Sequence, residues 1–164
     1  MIDDAPTFRA YSEIDRDRCL EVFDANCPAS FAPNERAEYA AFLQSVPEGY
    51  EVCLVDGRVA GAYGLIPTSR SDEPRRLRLN WIMIDPAVQG RGVGRAMMER
   101  VEERARAVRE RAGVGVDETP LEIDIAASHV SAPFFARFGA EETVRTEDGW
   151  GPGMHRVDMV LPML

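Results

Sequence analysis

Three glycines at alternate positions, Gly90, Gly92 and Gly94, follow a short apolar run and precede a long helical pattern. Glycine has no Cβ, so backbone N–H groups can crowd together at such a turn. A helix that begins there adds unpaired N–H groups and the positive end of its dipole. Arg91 and Arg95 add positive charge at the rim. The spacing therefore predicts a strand–turn–helix that binds a phosphate or pyrophosphate group.

The positions of these glycines distinguish between the known phosphate loops. The dinucleotide fingerprint G-x-G-x-x-G requires glycine where this chain has Arg95, and the nucleotide P-loop requires a Lys that is missing here. The pattern that fits is Gln89-x-x-Gly92-x-Gly94 after a strand. It resembles the acyl-CoA signature of the Gcn5-related N-acetyltransferases, the GNAT family.

Length and composition predict one domain over residues 1–164. A chain of this length can bury a full hydrophobic core, and 45% hydrophobic with 29% charged residues is typical of a soluble globular protein. No apolar run approaches the ~20 residues that span a bilayer, and the N-terminus has no secretory pattern. The three cysteines have no C-x-x-C spacing, which argues against a disulfide framework or a metal site. We therefore expect a cytoplasmic protein without a membrane partner or a bound metal.

The net charge of −9 argues against a nucleic-acid partner, because nucleic-acid phosphates would be repelled. It is compatible with a cationic substrate such as an amine.

Hydrophobic periodicity and turn residues predict a mixed α/β order of elements. Helices are expected at 11–26, from 33 or 34 to Pro47, from 91 or 92 to 111, and at 131–138. Strands are expected at 50–55, 58–66, 77–84, 121–126, 142–146 and 155–161, with a further short strand at 6–10 and a glycine-rich connection at 147–153. The buried face of the third helix is predicted from the spacing of Val93, Met97, Val101, Ala105 and Val108. Such an order implies a sheet of about six to seven strands flanked by helices.

This order is similar to the GNAT fold nearly from end to end, so the resemblance implies a single acyl-CoA N-acyltransferase domain. In that family the backbone of the strand before the loop stabilises the oxyanion and pairs with pantetheine, which implies this role for Ile82, Met83 and Ile84. Ser128 lies where many members place a cofactor-contacting Asn, although it could equally cap a helix. The other residues that the resemblance implies for acetyl-CoA binding are Gln89, Gly90, Arg91, Gly92, Val93, Gly94, Arg95 and Phe135.

The segment from Ala132 to Ala140 resembles the F-Y-x-x-x-G-F segment of the family, with one departure. Many members carry a Tyr at the position of Phe135, and its hydroxyl protonates the leaving thiolate. Phe135 has no hydroxyl, so this proton route is absent or another residue replaces it. The alternative is that Phe134, Phe135 and Phe138 are simply core aromatic residues.

Amine attack on a thioester requires a group that takes up a proton, since an amine with a pKa near ~10.4 is mostly charged at pH 7. Asp124 is the first candidate, because an acid on a buried strand face is costly unless it is paired or functional. The alternative is that Asp124 is an edge-facing or ion-paired acid. His129 and Asn80 are the other candidates, with a loop or cap role and core hydrogen bonding as their respective alternatives. Asp85 is interpreted as a turn residue, and Trp150 as a lid or a turn anchor.

The expected function is transfer of acetyl from acetyl-CoA to a primary amine, by direct attack in a ternary complex. A small-molecule acceptor is expected because the chain has no added recognition domain, while a protein N-terminus or lysine remains an alternative. A non-catalytic acyl-CoA-binding sensor is the rival interpretation, supported by the missing Tyr. A homodimer is a further alternative, because exposed strand edges can pair with a second copy of the chain.

Overall fold

The computed structural model describes residues 5–68, 76–111 and 121–163. Within these residues the chain forms one sheet with helices on both faces. The strands are β1 (Thr7–Ala10), β2 (Tyr50–Val55), β3 (Arg58–Pro67), β4 (Arg76–Ile84), β5 (Leu121–Ser128), β6 (Glu141–Gly151) and β7 (Met154–Met163). The helices are α1 (Arg16–Ala25), α2 (Glu35–Phe42), α3 (Val93–Arg111) and α4 (Ala132–Ala136).

The strands follow the order β1-β2-β3-β4-β5-β7-β6. Neighbours pair antiparallel except β4 and β5, which are parallel. A parallel pair requires a crossover, and α3 lies in the connection between these two strands. The expected mixed sheet of six to seven strands, including the short first strand, is therefore confirmed.

Strand alternation divides the side chains between two cores. Leu77 and Leu79 of β4 join the larger core, in which α3 contributes its predicted buried face. Met97 and Val101 of that face are completely buried, which stabilises the fold by about 1.5–3 kcal/mol for each side chain. A smaller core between α1, α2 and the other face of β2–β4 contains Phe23, Tyr39, Tyr50 and Met83 among its buried residues.

Four predicted boundaries are wrong. The second helix ends at Phe42 rather than at Pro47. The first helix begins at Arg16 rather than at residue 11, because a 3-10 turn at Glu13–Asp15 precedes it and Asp15 accepts the Ser12 N–H. The helix expected at 131–138 is only Ala132–Ala136. The glycine-rich stretch expected as a connection belongs to β6, which continues irregularly to Gly151 and leaves a turn at 152–153.

The segment between the strands expected at 58–66 and 77–84 lies largely outside the described residues, as does the segment between the third helix and the strand expected at 121–126. Among the helices that the structure describes, none has the length and apolar character needed to span a bilayer.

Candidate active site

The two parallel strands at the centre of the sheet separate towards their carboxyl ends. β4 pairs with β5 only from Arg76 to Leu79, opposite Glu122–Ile125. Further along, β4 continues beside β3 to Ile84, whereas β5 continues beside β7 to Ser128. The separation opens a cavity of about 840 Å³, called the cleft below. The β5 side of β4 is therefore open beyond Leu79, as required for the pairing with pantetheine that the resemblance implies.

A β-bulge marks the point where the strands separate. The β3–β4 register shifts between Ala62 and Gly64, and Trp81 has a positive φ of 43°. The Tyr50 hydroxyl donates to the Trp81 carbonyl at 3.0 Å and is itself bonded to the Tyr39 hydroxyl at 2.9 Å. These two buried tyrosines hold the Trp81 carbonyl in place, which stabilises the unfavourable backbone conformation of Trp81.

The glycine loop connects β4 to α3 with its backbone amides available. Gly90 and Gly92 have φ of 83° and 77°, a region that residues with a Cβ adopt at a cost. Helix α3 makes its first backbone bond from the Ala96 N–H to the Gly92 carbonyl at 3.1 Å. Within the described chain, no acceptor binds the N–H groups of Gly92, Val93, Gly94 and Arg95. These groups, together with the helix dipole, form an anion site suited to a pyrophosphate.

Two anchors hold the loop in place. The Asp85 carboxylate accepts the Ala87 N–H at 3.0 Å and the Arg18 guanidinium at 2.6 Å, which ties the start of the loop to α1. Gly94 provides close packing, because a Cβ there would lie 2.8 Å from the Phe134 ring. The interpretation of Asp85 as a turn residue is thus confirmed.

Eleven of the twelve residues expected to contact acetyl-CoA line the cleft. They are Ile82, Met83, Ile84, Gln89, Gly90, Gly92, Val93, Gly94, Arg95, Ser128 and Phe135. Arg91 is not among the lining residues, and its guanidinium contacts Asp56 at 3.2 Å. An exposed acid on the β2–β3 turn thus competes for this side chain.

The end of β5 and the residues after it provide two hydroxyls in the same cleft as Phe135, which replaces the Tyr of many family members. Ser128 and Ser131 bond to each other at 2.7 Å, and the Ser131 N–H also donates to the Ser128 hydroxyl at 3.2 Å. Both serines line the cleft, as does Phe135, which is 3% exposed and packs in the larger core. Ser128 therefore makes the capping contact of the alternative interpretation, and it also lines the cleft.

Two of the three candidate bases lie outside the cleft. Leu121, Ile123 and Ile125 occupy the α3 face of β5, so Asp124 points to the opposite, half-exposed face. There the Arg76 guanidinium binds its carboxylate at 2.6 and 3.1 Å, which makes it the ion-paired acid of the alternative interpretation. Our expectation of a mostly buried face was wrong.

The other two candidates have different environments. The Nδ1 atom of His129 accepts the backbone N–H of His155 at 3.1 Å, and the His129 ring does not line the cleft. Asn80 does line it, at the bulge beside Trp81.

Glu35, the first residue of α2, is a candidate site residue that was not predicted from the sequence. This glutamate lines the cleft and is only 4% exposed. Its carboxylate accepts one described hydrogen bond, from the Ala32 N–H at 2.8 Å, and burial raises the pKa of its carboxyl despite that bond. An acid in the first turn of a predicted helix resembles an ordinary dipole-stabilising or capping residue, so the sequence carried no distinguishing signal.

The hairpin formed by β6 and β7 closes one side of the cleft. The Trp150 indole N–H donates to the Ala127 carbonyl at 2.9 Å, and Asn34 donates to the Trp150 carbonyl at 2.7 Å. Arg156 lies over the indole with its guanidinium carbon 4.9 Å from the ring centroid. Trp150 is thus anchored at both its backbone and its ring, and it lines the cleft.

A separated pair of parallel strands, a bulge and a helix N-terminus with free amides define an acyl-CoA-binding acyltransferase site. In accordance with this geometry, a sequence profile described as "Acetyltransferase (GNAT) family" matches residues 18–140. The chain belongs to the GNAT family, and it is an acetyl-CoA-dependent N-acetyltransferase.

Solved structures show the same fold at low sequence identity. Ard1 from Thermoplasma volcanium has a TM-score of 0.75 and 16% identity, over 98% of this chain and 99% of that one. The ribosomal-protein-S18-alanine N-acetyltransferase from Escherichia coli has 0.68 and 17%, over 97% and 94%. The yncA protein from Salmonella typhimurium, solved with its cofactor acetyl-CoA, has 0.64 and 19%, over 98% and 95%. No curated protein matches by sequence.

Proposed function

We propose that this enzyme acetylates the primary amine of a small molecule by direct attack in a ternary complex, with Glu35 as the proton acceptor. The observation that carries the proposal is a buried carboxylate that lines the same cleft as the glycine loop and that no cation of the described residues contacts. Buried charges are normally paired, so an uncompensated one in a cleft marks a candidate functional group.

The protonation states support this role for Glu35. An amine substrate arrives mostly as ammonium at neutral pH and must lose a proton before or during attack. Burial raises the pKa of Glu35 above its ordinary 4.5, which brings it closer to the pKa of the amine and strengthens it as a base. The carboxylate can receive the proton directly or through one water, and Asn80 can orient that water or the amine.

The backbone of β4 supports the acyl-transfer step. Acetyl-CoA supplies an acetyl group that is activated as a thioester. The edge of β4 from Ile82 to Ile84 has no strand partner on its β5 side in the described sheet, so its N–H groups can stabilise the oxyanion. The amides from Gly92 to Arg95 hold the pyrophosphate.

The hydroxyl pair of Ser128 and Ser131 supports a substitute for the missing Tyr. Phe135 cannot donate a proton to the leaving thiolate, whereas a serine hydroxyl in the same cleft can donate a hydrogen bond to it. One hydroxyl of the pair donates to the other, so the hydrogen of the accepting hydroxyl remains available to the thiolate.

The shape of the acceptor side favours a small substrate. Residues from Asn26 to Glu35 line one wall, and Asn34 binds the backbone of the last hairpin at Trp150. A side chain at Gly151 would collide with Asn34 and Ala32, so these two walls are in contact. Contact between the walls restricts entry for an extended polypeptide.

The proposed function is tested by acetyl-CoA titration followed by CoA release across a panel of primary amines. We expect saturable acetyl-CoA binding and amine-dependent turnover, both abolished by Gly92→Glu, which places a negative side chain at the phosphate site. The absence of acetyl-CoA binding up to the millimolar range would contradict the proposal.

The second candidate is a non-catalytic acyl-CoA sensor, which Phe135 favours because it has no hydroxyl. Tight acetyl-CoA binding without turnover of any amine, together with a protein partner in pull-down experiments, would support the sensor instead.

A further inference from the structure

Arg78 is a cation in the cleft for which the described part of the chain provides no partner. Its side chain is exposed and lines the cleft, and it makes no hydrogen bond or ion pair with any described residue. The neighbouring arginines on this face differ: Arg76 binds Glu122 and Asp124, and Arg156 binds Asp158. The acids nearby are therefore already occupied by other guanidinium groups.

The absence of a partner is informative because the chain is rich in acids. It has 28 acidic and 19 basic residues, so acidic partners are abundant. In the sheet register Arg78 lies opposite Asp124, yet that carboxylate binds Arg76 at 2.6 Å. Asn80 and Ala126, which line the cleft from the same face of the sheet, are uncharged. The fold thus leaves the Arg78 guanidinium available to a ligand.

The position of Arg78 assigns it to the acceptor rather than to the cofactor phosphates. Leu77 and Leu79 occupy the α3 face of β4, so Arg78 and Asn80 share the opposite face. Arg78 precedes Ile84 by six positions, about 20 Å along a strand, and the glycine loop lies beyond that end. A group bound at Arg78 is therefore far from the pyrophosphate amides.

We propose that the acceptor carries a carboxylate in addition to its amine, and that Arg78 binds this carboxylate. The inference rests on the proposed function, because Glu35 receives the proton of the ammonium group while Arg78 holds the opposite charge of the same molecule. A guanidinium suits this role, since its parallel N–H groups match the two oxygens of a carboxylate. The substrate class is a small zwitterion of the amino-acid type.

The test compares matched acceptors on wild-type enzyme and on Arg78→Met. α-Amino acids and ω-amino acids are each assayed beside their carboxamides, so that only the negative charge differs. For the wild type we expect kcat/KM to be about tenfold to a hundredfold higher for the acids, as removal of a charged hydrogen-bonding pair predicts. In Arg78→Met this preference should disappear while the carboxamide rates stay within about threefold.

Arg78→Lys should keep part of the preference, because it keeps the charge but not the two-pronged geometry. Arg106→Met, on an exposed position of α3 that pairs with Glu102, is the matched control and should keep the full preference. Equal wild-type rates for acids and carboxamides, or an equal loss for both in Arg78→Met, would overturn the inference.

Calorimetric titration of the same acids into the CoA-bound enzyme separates this inference from the proposed function. Acid-selective binding that Arg78→Met removes supports the carboxylate site even if no amine is acetylated. Turnover of amines with no acid-selective binding supports the proposed function and contradicts the carboxylate site.

Discussion

Two buried glutamates in this molecule have opposite environments. Glu51 on β2 is 8% exposed and receives two hydrogen bonds from Arg100, at 2.9 and 3.0 Å, and one from Tyr63. Burial alone would raise its pKa, but these bonds and the nearby charge of Arg104 outweigh it, and the pKa of Glu51 is lowered. Glu35 is 4% exposed, has one N–H donor, and its pKa is raised.

The difference lies in the partners and not in the depth of burial. Arg100 and Arg104 come from α3, so their contacts with Glu51 attach that helix to the sheet. The same contacts keep the Glu51 carboxyl ionised. Glu35 lines the cleft, and its carboxylate accepts one N–H and contacts no cation among the described residues. A carboxylate of the first kind stabilises a fold, and one of the second kind costs stability and is available for proton transfer.

The largest expected effect is on activity at Glu35. Glu35→Gln should lower kcat/KM by about 10²- to 10⁴-fold, the usual contribution of a positioned base. Wild-type activity should rise with pH through the raised pKa of Glu35, and this limb of the profile should vanish in the variant. Steady-state kinetics from pH 4 to 9 measure both effects.

Glu99→Gln, at an exposed position of α3, is the control and should leave the profile unchanged. A Glu35→Gln enzyme with full activity would refute the assignment of the base and leave acetyl-CoA binding unaffected.

The next effect is on stability at Glu51. Glu51→Gln should lower the free energy of unfolding by about 2–3 kcal/mol, because two guanidinium groups lose their carboxylate and each is only partly exposed. Urea denaturation followed by circular dichroism measures the change. A loss as small as that of a surface pair would show that the cluster does not anchor α3.

Replacement of the two glutamates should change stability relative to the wild type in opposite directions at neutral pH. Both changes should disappear in acid. The lowered pKa of Glu51 means that its stabilisation is complete above pH 4.5 and is lost as pH falls towards the folded value. The raised pKa of Glu35 means that it destabilises the folded state at neutral pH, and that this cost vanishes below pH 4.5.

Melting curves from pH 3 to 7 therefore should show Glu51→Gln below the wild type and Glu35→Gln at or above it at pH 7. Both differences should shrink as pH falls. A Glu35→Gln protein that melts below the wild type at pH 7 would contradict an uncompensated charge at this position.

The smallest expected effect is at Glu103, which shares Arg100 with Glu51. This pair is 3.5 Å long and Glu103 is 71% exposed, so solvent screens it. Glu103→Gln should change the free energy of unfolding by less than about 0.5 kcal/mol in the same urea assay. A change as large as that of Glu51→Gln would mean that burial is not what distinguishes the two acids.

The sequence alone was sufficient to predict the proposed cofactor side. The loop from Gly90 to Gly94 and the start of α3 present the backbone amides of consecutive residues, so the spacing of the glycines predicts a phosphate site there. The order of elements and the buried stripe of α3 were also predicted, because helical and strand periods are local properties.

Only the tertiary structure decided the acceptor side. Asp124 looked reactive in the sequence, but Arg76, 48 positions earlier, binds its carboxylate. Glu35 looked like a helix-capping acid, but folding buries it in the cleft without a cation. The role of a charged side chain depends on burial and on partners that are distant in the chain, and neither is encoded in the residues beside it.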